Sequence, residues 1–115
     1  MITLFVRDNM IISCCDDEHK IRSWSLEGGP YHVYGSKGKG VGQFDYPRLC
    51  DVDEKHSMLT ADCDNDRIQA VSSQGEGCVF ELDREIKNPV GTVIFNDKLV
   101  VVSLSPYLLT VFSHD

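Results

Sequence analysis

The run GKGVGQFDYPRLCDVDEKHSMLTADCDNDRIQAVS, residues 38–72, decides how the rest of the chain is read. It has four parts in fixed order. A glycine-spaced loop carries Gly38, Gly40 and Gly42 and closes on Gln43 and Phe44, with Pro47 just beyond. An apolar-alternating run follows at 49–53, then a polar turn, then a second apolar run at 58–61. Asp62, Cys63, Asp64 and Asn65 turn the chain into a third run at 67–72. Short runs rich in Val, Ile, Leu and Cys, bounded by turn residues, read as strands. No stretch shows a 3.6-residue period, so the chain reads as all-β.

The pattern repeats. Slid by 47 residues, Met58, Leu59, Thr60 and Ala61 lie over Ile11, Ile12, Ser13 and Cys14, and Gly75 lies over Gly28. Slid the other way by 41, residues 99–102 lie over 58–61, and Leu109 and Phe112 lie over Ile68 and Val71. Pro89 falls near Pro47 with a one-residue slip. Strands are predicted at 2–6, 11–15, 20–25 and 31–34, then at 49–53, 58–61, 67–72 and 78–82, then at 92–95, 99–103 and 108–113. A unit of this length built from short strands is the signature of a propeller blade. The predicted blades cover about 1–36, 37–84 and 85–115, the third without its last strand. A ring of about six such blades needs roughly 250–280 residues. The expectation is therefore an incomplete propeller, either a slice of a longer chain or a unit whose copies complete a ring.

On these residues the chain resembles the NHL repeat, whose pattern runs through a glycine-spaced loop, Q-F, P, a strand ending in A-D, then D-N-x-R-I-Q. Gly38, Gly40, Gly42, Gln43, Phe44, Pro47, Ala61, Asp62, Asp64, Asn65, Arg67, Ile68 and Gln69 all match. The first copy has Cys15 for the expected Asp and Lys20 for Arg, and the third has Ser103 and Leu108 there. The resemblance implies blades of a β-propeller. It also implies structural roles for Gly42, Phe44, Pro47, Asp62, Asn65 and Arg67, with Asp62 and Arg67 tying the turn to the blade. NHL propellers occur at the end of tripartite-motif ubiquitin ligases and recognise a protein or an RNA. The resemblance thus implies a recognition module without chemistry of its own.

Composition is that of a globular domain, with 42% apolar and 25% charged residues. The net charge of −7 opposes nucleic acid, which is bound by neutralising phosphates. A protein partner is therefore expected, with RNA the alternative and no DNA. No apolar run reaches the length needed to span a bilayer, so no membrane partner is expected. Residues 1–13 lack the basic start and unbroken apolar core of a signal peptide. Five cysteines, an odd number, then point to reduced thiols in the cytoplasm.

Several motifs invite sharper readings and fail on detail. Residues 35–42 are glycine-rich, but Pro47 would break the helix that a phosphate loop requires, so a flexible connection between blades is expected. Asp62, Asp64 and Asp66 alternate like the start of a calcium loop, yet Arg67 stands where the glycine is needed. The cysteines form no C-x-x-C pair, and small buried side chains are expected of them. His19, His32, His56 and His114 lie apart, none at the start of an inner strand, where the zinc ligands of a propeller amidating lyase would stand. No cofactor, metal or catalytic residue is expected. Trp24 is predicted to pack between blades. Tyr46 and Arg48, bracketing Pro47, are the chosen binding residues, because Tyr and Arg dominate interaction hot spots. Lys37 and Lys39 could extend them into a basic rim.

Overall fold

A computed structural model describes residues 1–104 and 106–113. Its strands form three antiparallel sheets, each a blade of a β-propeller. The first sheet runs β1 (Ile2–Arg7), β2 (Met10–Cys15), β3 (Lys20–Ser25) and β4 (His32–Tyr34) in sequence order. The second runs β5 (Pro47–Val52), β6 (Met58–Asp62), β7 (Arg67–Val71) and β8 (Gly77–Val79). The third has three strands, β9 (Pro89–Phe95), β10 (Lys98–Ser103) and β11 (Leu108–Ser113). The three blades do not close a ring. β5 meets β1 and β2 of the first blade, and β9 packs against β5 and β6 of the second.

Local chemistry sets the turns. Asp8 and Asn9 both take positive φ between β1 and β2, as Asn96 and Asp97 do between β9 and β10. That is the two-residue hairpin turn whose twist matches the strands, and Asn and Asp tolerate it best. Between β5 and β6 the turn is longer, and Asp53 Oδ1 accepts from the Lys55 and Ser57 N–H groups. In the first two blades the second and third strands are joined by a short 3₁₀ turn, Asp16–Glu18 or Cys63–Asn65. The left-handed residue is the one after that turn, His19 or Asp66.

Two apolar layers lie between the blades. Ile12, Cys14 and Ile21 of the first sheet meet Leu49, Val52, Met58 and Val71 of the second, around Phe44. Leu59, Ala61 and Ile68 of the second meet Leu99, Val101 and Phe112 of the third, with Ile86 from the connection. Val71 and Phe112 are thus buried between blades. Trp24, predicted to match them, is not. It lies on the first sheet's outer face, half-buried and stacked on Tyr31 with ring centroids 5.9 Å apart. Among the described residues no blade covers that face.

Among the described residues β11 is the edge of the third sheet, and that edge is met by a side chain. The Ile68 carbonyl of β7 accepts from the Phe80 N–H on the β8 side, so the alternate residues of β7 point their backbone groups outward. Ala70, which pairs with Cys78 of β8, is one of these, and Val111 is its counterpart in β11; the Val111 carbonyl accepts from Arg84 Nη2 at 3.0 Å. The same guanidinium lies over the Phe112 ring, 4.6 Å from its centroid.

The cysteines divide by environment. Cys14 and Cys63 are buried, Cys15 and Cys50 half-buried, and Cys78 exposed on β8, against the expectation of burial. Burial pushes the thiols of Cys14 and Cys63 up to about 12, because a thiolate there would lose its water. At pH 8 a disulfide reagent should therefore label Cys78 first and leave Cys14 and Cys63 untouched until denaturant is added. Labelling by Ellman's reagent, mapped by mass spectrometry, checks this, and early modification of Cys14 in the folded protein contradicts it. Both shifts raise the folded-state value, so their stabilisation holds below the ordinary thiol range and is lost as pH climbs from about 9 towards 12.

Candidate binding rim

The rim is built on the loop that carries the chain from β4 into β5. That loop was expected to be flexible; instead it is fastened at most of its length. The Asp62 carboxylate, fully buried, is the anchor. Its Oδ1 accepts from the Asp45 N–H at 2.7 Å. Its Oδ2 accepts from Arg67 Nε at 2.7 Å, Asn65 Nδ2 at 3.0 Å and Gln69 Nε2 at 3.2 Å. Arg67 spends three of its four other donors on the loop carbonyls of Lys39, Gly40 and Gln43. Asn65 reaches the Gly38 carbonyl, and Gln69 takes the Gly42 N–H and gives to the Gln43 carbonyl. A buried carboxylate is tolerable only when paired and fully hydrogen-bonded, and this one is. Gly42 takes φ +81°, a conformation that favours glycine.

Phe44 and Pro47 complete the loop. The Phe44 backbone is held by the Ser36 carbonyl and the Gly38 N–H, which turns its ring into the layer between the first two sheets. Pro47 is buried at the first position of β5, where a strand tolerates a residue without N–H. The Cys14 thiol donates to its carbonyl at 3.5 Å.

Neighbouring blades are latched at the rim by a bond that occurs twice. The Tyr46 N–H donates to His19 Nδ1 at 2.9 Å, and the Asn88 N–H donates to Asp66 Oδ1 at 2.8 Å. Each donor precedes the proline that opens an inner strand, and each acceptor follows a 3₁₀ turn of the preceding blade. His19 also meets the Tyr46 ring edge-on, with centroids 4.8 Å apart. The latch was not read from the sequence, although its signal was present. Asn88-Pro89 stands 42 residues after Tyr46-Pro47, and Asp66 stands 47 after His19. Ile86 is likewise the third-blade counterpart of Phe44, and both are buried.

Tyr46 and Arg48 come together in one cleft of about 340 Å³ at the junction of the second and third blades, lined also by Asp16, Cys63, Asp64, Asn88, Val90 and Leu104. Tyr46 is exposed and Arg48 half-buried. Among the described residues the Arg48 guanidinium has no hydrogen bond or ion pair. Its acidic neighbour Asp16 is already engaged, since the Met1 ammonium at 2.9 Å holds that carboxyl below its usual range, with Arg48 a lesser contributor. Lys37 and Lys39 are not part of this cleft. Lys37 is exposed in the loop, and Lys39 borders a separate depression of about 220 Å³ with Asp64, Asn65, Asp66 and Arg67.

The remaining candidates do not converge. Asp62 faces inward, Asp64 is exposed, and Asp66 lies 3.5 Å from Lys87 Nζ. His56 sits 3.4 Å from Asp8 Oδ2 at the far end of the blades, and His32 is exposed on β4. His114 lies outside the described residues. Among the described residues no group of three or more His, Cys, Asp or Glu side chains could hold a metal ion. No helix among them is long and apolar enough to cross a membrane.

No protein-family model matches the chain, and no curated protein matches it. Solved structures do. A streptogramin B lyase aligns over 96% of this chain and 39% of its own, with a TM-score of 0.63 at 16% identity. A catalytically inactive variant of virginiamycin B lyase from Staphylococcus aureus, with quinupristin, aligns over 96% of this chain and 40% of its own, with a TM-score of 0.62 at 11% identity. A second structure of that Staphylococcus aureus enzyme gives 0.61 at 12% over the same shares. The chain spans about two fifths of the length of these proteins. At such identities the likeness is one of architecture, and the chain is built as β-propeller blades.

Proposed function

We propose that this chain is the recognition part of a propeller and binds a protein partner through the cleft around Tyr46 and Arg48, without catalysis of its own. The observation that carries this is the Arg48 guanidinium, half-buried in a cleft with its donors unspent. Arginine offers a planar fork matched to a carboxylate, so an Asp or Glu side chain of the partner is the expected occupant. Tyr46 supports the same reading. It holds φ +54° at the position where the third blade uses Asn88. Asn adopts that conformation readily and Tyr does not, so a bulky ring is kept there at a conformational cost and shown to solvent.

The surroundings favour protein over RNA. Asp16 and Asp64 line the cleft beside Arg48, and Lys37 and Lys39 lie outside it, so no run of cations tracks a phosphate backbone. The NHL resemblance suggests a finer form, the substrate-recruiting propeller of a tripartite-motif-like ubiquitin ligase or scaffold. A second reading is a slice of a propeller lyase, favoured by the likeness to the streptogramin and virginiamycin lyases.

A phage-displayed random peptide library panned on the chain tests the proposal. Enriched peptides should share an acidic residue beside an apolar one. Arg48→Ala should weaken them by about 2 kcal/mol or more, roughly thirtyfold. No enrichment, or binding indifferent to both Arg48→Ala and Tyr46→Ala, counts against it. Retention of a random single-stranded RNA pool, falling steeply with salt, would favour the RNA reading instead. Loss of quinupristin on incubation with the chain would favour the lyase.

A further inference from the structure

One sheet-to-sheet interface is built twice inside this chain, and its two halves lie uncovered at opposite ends. The register makes the correspondence explicit. In the second sheet the face turned to the first carries Leu49, Val52, Met58 and Val71, each 1–2% exposed. Leu49 pairs with Thr60, Val52 with Met58, and Met58 with Val71. In the first sheet Leu4 pairs with Ser13, Val6 with Ile11, and Ile11 with Trp24. Leu4, Val6, Ile11 and Trp24 therefore stand where Leu49, Val52, Met58 and Val71 stand. Among the described residues no sheet covers them: Ile11 and Trp24 are half-buried, and Leu4 and Val6 are each 63% exposed.

The other half lies on the third sheet. The faces of the first two sheets turned to their successors carry Ile12, Cys14 and Ile21, or Leu59, Ala61 and Ile68, all buried. Their counterparts in the third sheet are Val100, Val102 and Leu109, flanked by Val93 and Val111. Here Val93 is 43%, Val111 47% and Leu109 57% exposed. Two contiguous apolar faces on one small molecule are far more than scattered surface hydrophobics. What fits each of them is already visible in the chain, because each matches a face that a blade of this same chain covers.

We infer that a second copy of the chain covers them, seating its first sheet on the third sheet of its neighbour, head to tail. The contact would bring Leu4, Val6 and Trp24 of one copy against Val93, Leu109 and Val111 of the other, as Leu49, Val52 and Val71 are brought against the first blade. An interface between two different patches is heterologous, so it yields a closed ring where the rotation permits and a growing stack where it does not.

The test uses the whole chain and two doubly substituted variants, all changes being at exposed positions. Leu4→Glu with Val6→Glu blocks the first-sheet face, and Leu109→Glu with Val111→Glu blocks the third-sheet face. Sedimentation velocity over a concentration series should show the parent chain associating. Each blocked variant alone should remain a monomer, with association weakened at least about tenfold. Mixed in equal amounts, the two variants each keep one good face and should form a one-to-one dimer and nothing larger. Circular dichroism confirms that the sheets persist. If a pair fails to fold, Trp24→Arg and Val93→Lys, one on each face, repeat the experiment. A monomeric parent overturns the inference. So does association of either blocked variant with itself, or a mixture that forms no dimer while the parent associates.

Discussion

Replacing Asp62 with Ala should destabilise the chain by about 3–5 kcal/mol, the range for removing one partner of a buried, hydrogen-bonded charge pair. Folded domains lie only about 5–15 kcal/mol below their unfolded state, so the loss is about a fifth of the total or more. The magnitude follows from what stays behind. Four donors converge on this carboxylate, from Asp45, Asn65, Arg67 and Gln69. Without it the Arg67 Nε and the Asp45 N–H lose their partner in a largely buried site, and an unmet buried donor costs much of the desolvation penalty. Asp62→Asn should do nearly as badly, because its NH₂ must face either the Asp45 N–H or the three side-chain donors. Asp64→Ala, two residues on and exposed, should stay within about 0.5 kcal/mol. Urea melts of the three variants give the comparison. A second readout follows the loop itself. Arg67 and Gln69 hold the carbonyls of Lys39, Gly40 and Gln43 only while Asp62 holds them, so tryptic cleavage after Lys37 and Lys39 should accelerate before global unfolding. An Asp62→Ala protein within about 1 kcal/mol of the parent, with an unchanged digestion rate, would show that the loop is fastened by other means.

The strands were legible because their signal is local. The predicted runs at 20–25 and 108–113 coincide with Lys20–Ser25 and Leu108–Ser113. Boundaries moved where a proline or a distant partner intervened. β5 and β9 begin at Pro47 and Pro89, earlier than expected, because the first strand position tolerates a missing N–H. β8 stops at Val79, and Phe80 and Leu82, expected to continue it, pack beside the layer between the second and third blades. In the rim, Tyr46 and Arg48 share a cleft because they flank one proline at one strand end. Lys37 and Lys39, as close in sequence, are carried elsewhere by a loop whose course is set by Arg67, Asn65 and Gln69 more than twenty residues away. The His19 latch shows only in the repeat spacing, because no local pattern around His19 points to it. Its partner is 27 residues downstream, in the next blade. Trp24 was misplaced because repeat alignment finds the equivalent position but not whether a neighbouring blade is there to cover it.

Phe44 and Gly35 should fail together and repair one another in part. Phe44 is fully buried, so Phe44→Ala should cost about 3–5 kcal/mol through lost transfer energy and the cavity left behind. Gly35 approaches the same ring from the end of the first blade. A Cβ built there would lie 2.5 Å from Phe44 Cδ2 and Cε2 and 3.3 Å from the His19 carbonyl, on a backbone with φ +90°. Gly35→Ala should therefore cost about 2–3 kcal/mol, of which roughly 1 kcal/mol is the backbone penalty and the remainder the clash with the ring. Only the clash can be relieved by a second change. In the double variant the added methyl enters space that the ring has vacated, so the combined loss should fall short of the sum by about 1 kcal/mol or more. Thermal or urea melts of the four proteins complete the cycle. Additivity within about 0.5 kcal/mol would mean that Gly35 is required for its backbone alone. The coupling also reaches the rim. Tyr46 and Arg48 follow Phe44 by two and four residues, and the Tyr46 N–H is latched to His19, whose own carbonyl is the third atom that the new methyl would press. Gly35→Ala should thus weaken peptide binding at Arg48 in conditions where the chain is still folded, a loss that a comparably destabilising change in the other apolar layer, such as Leu99→Ala, would not produce.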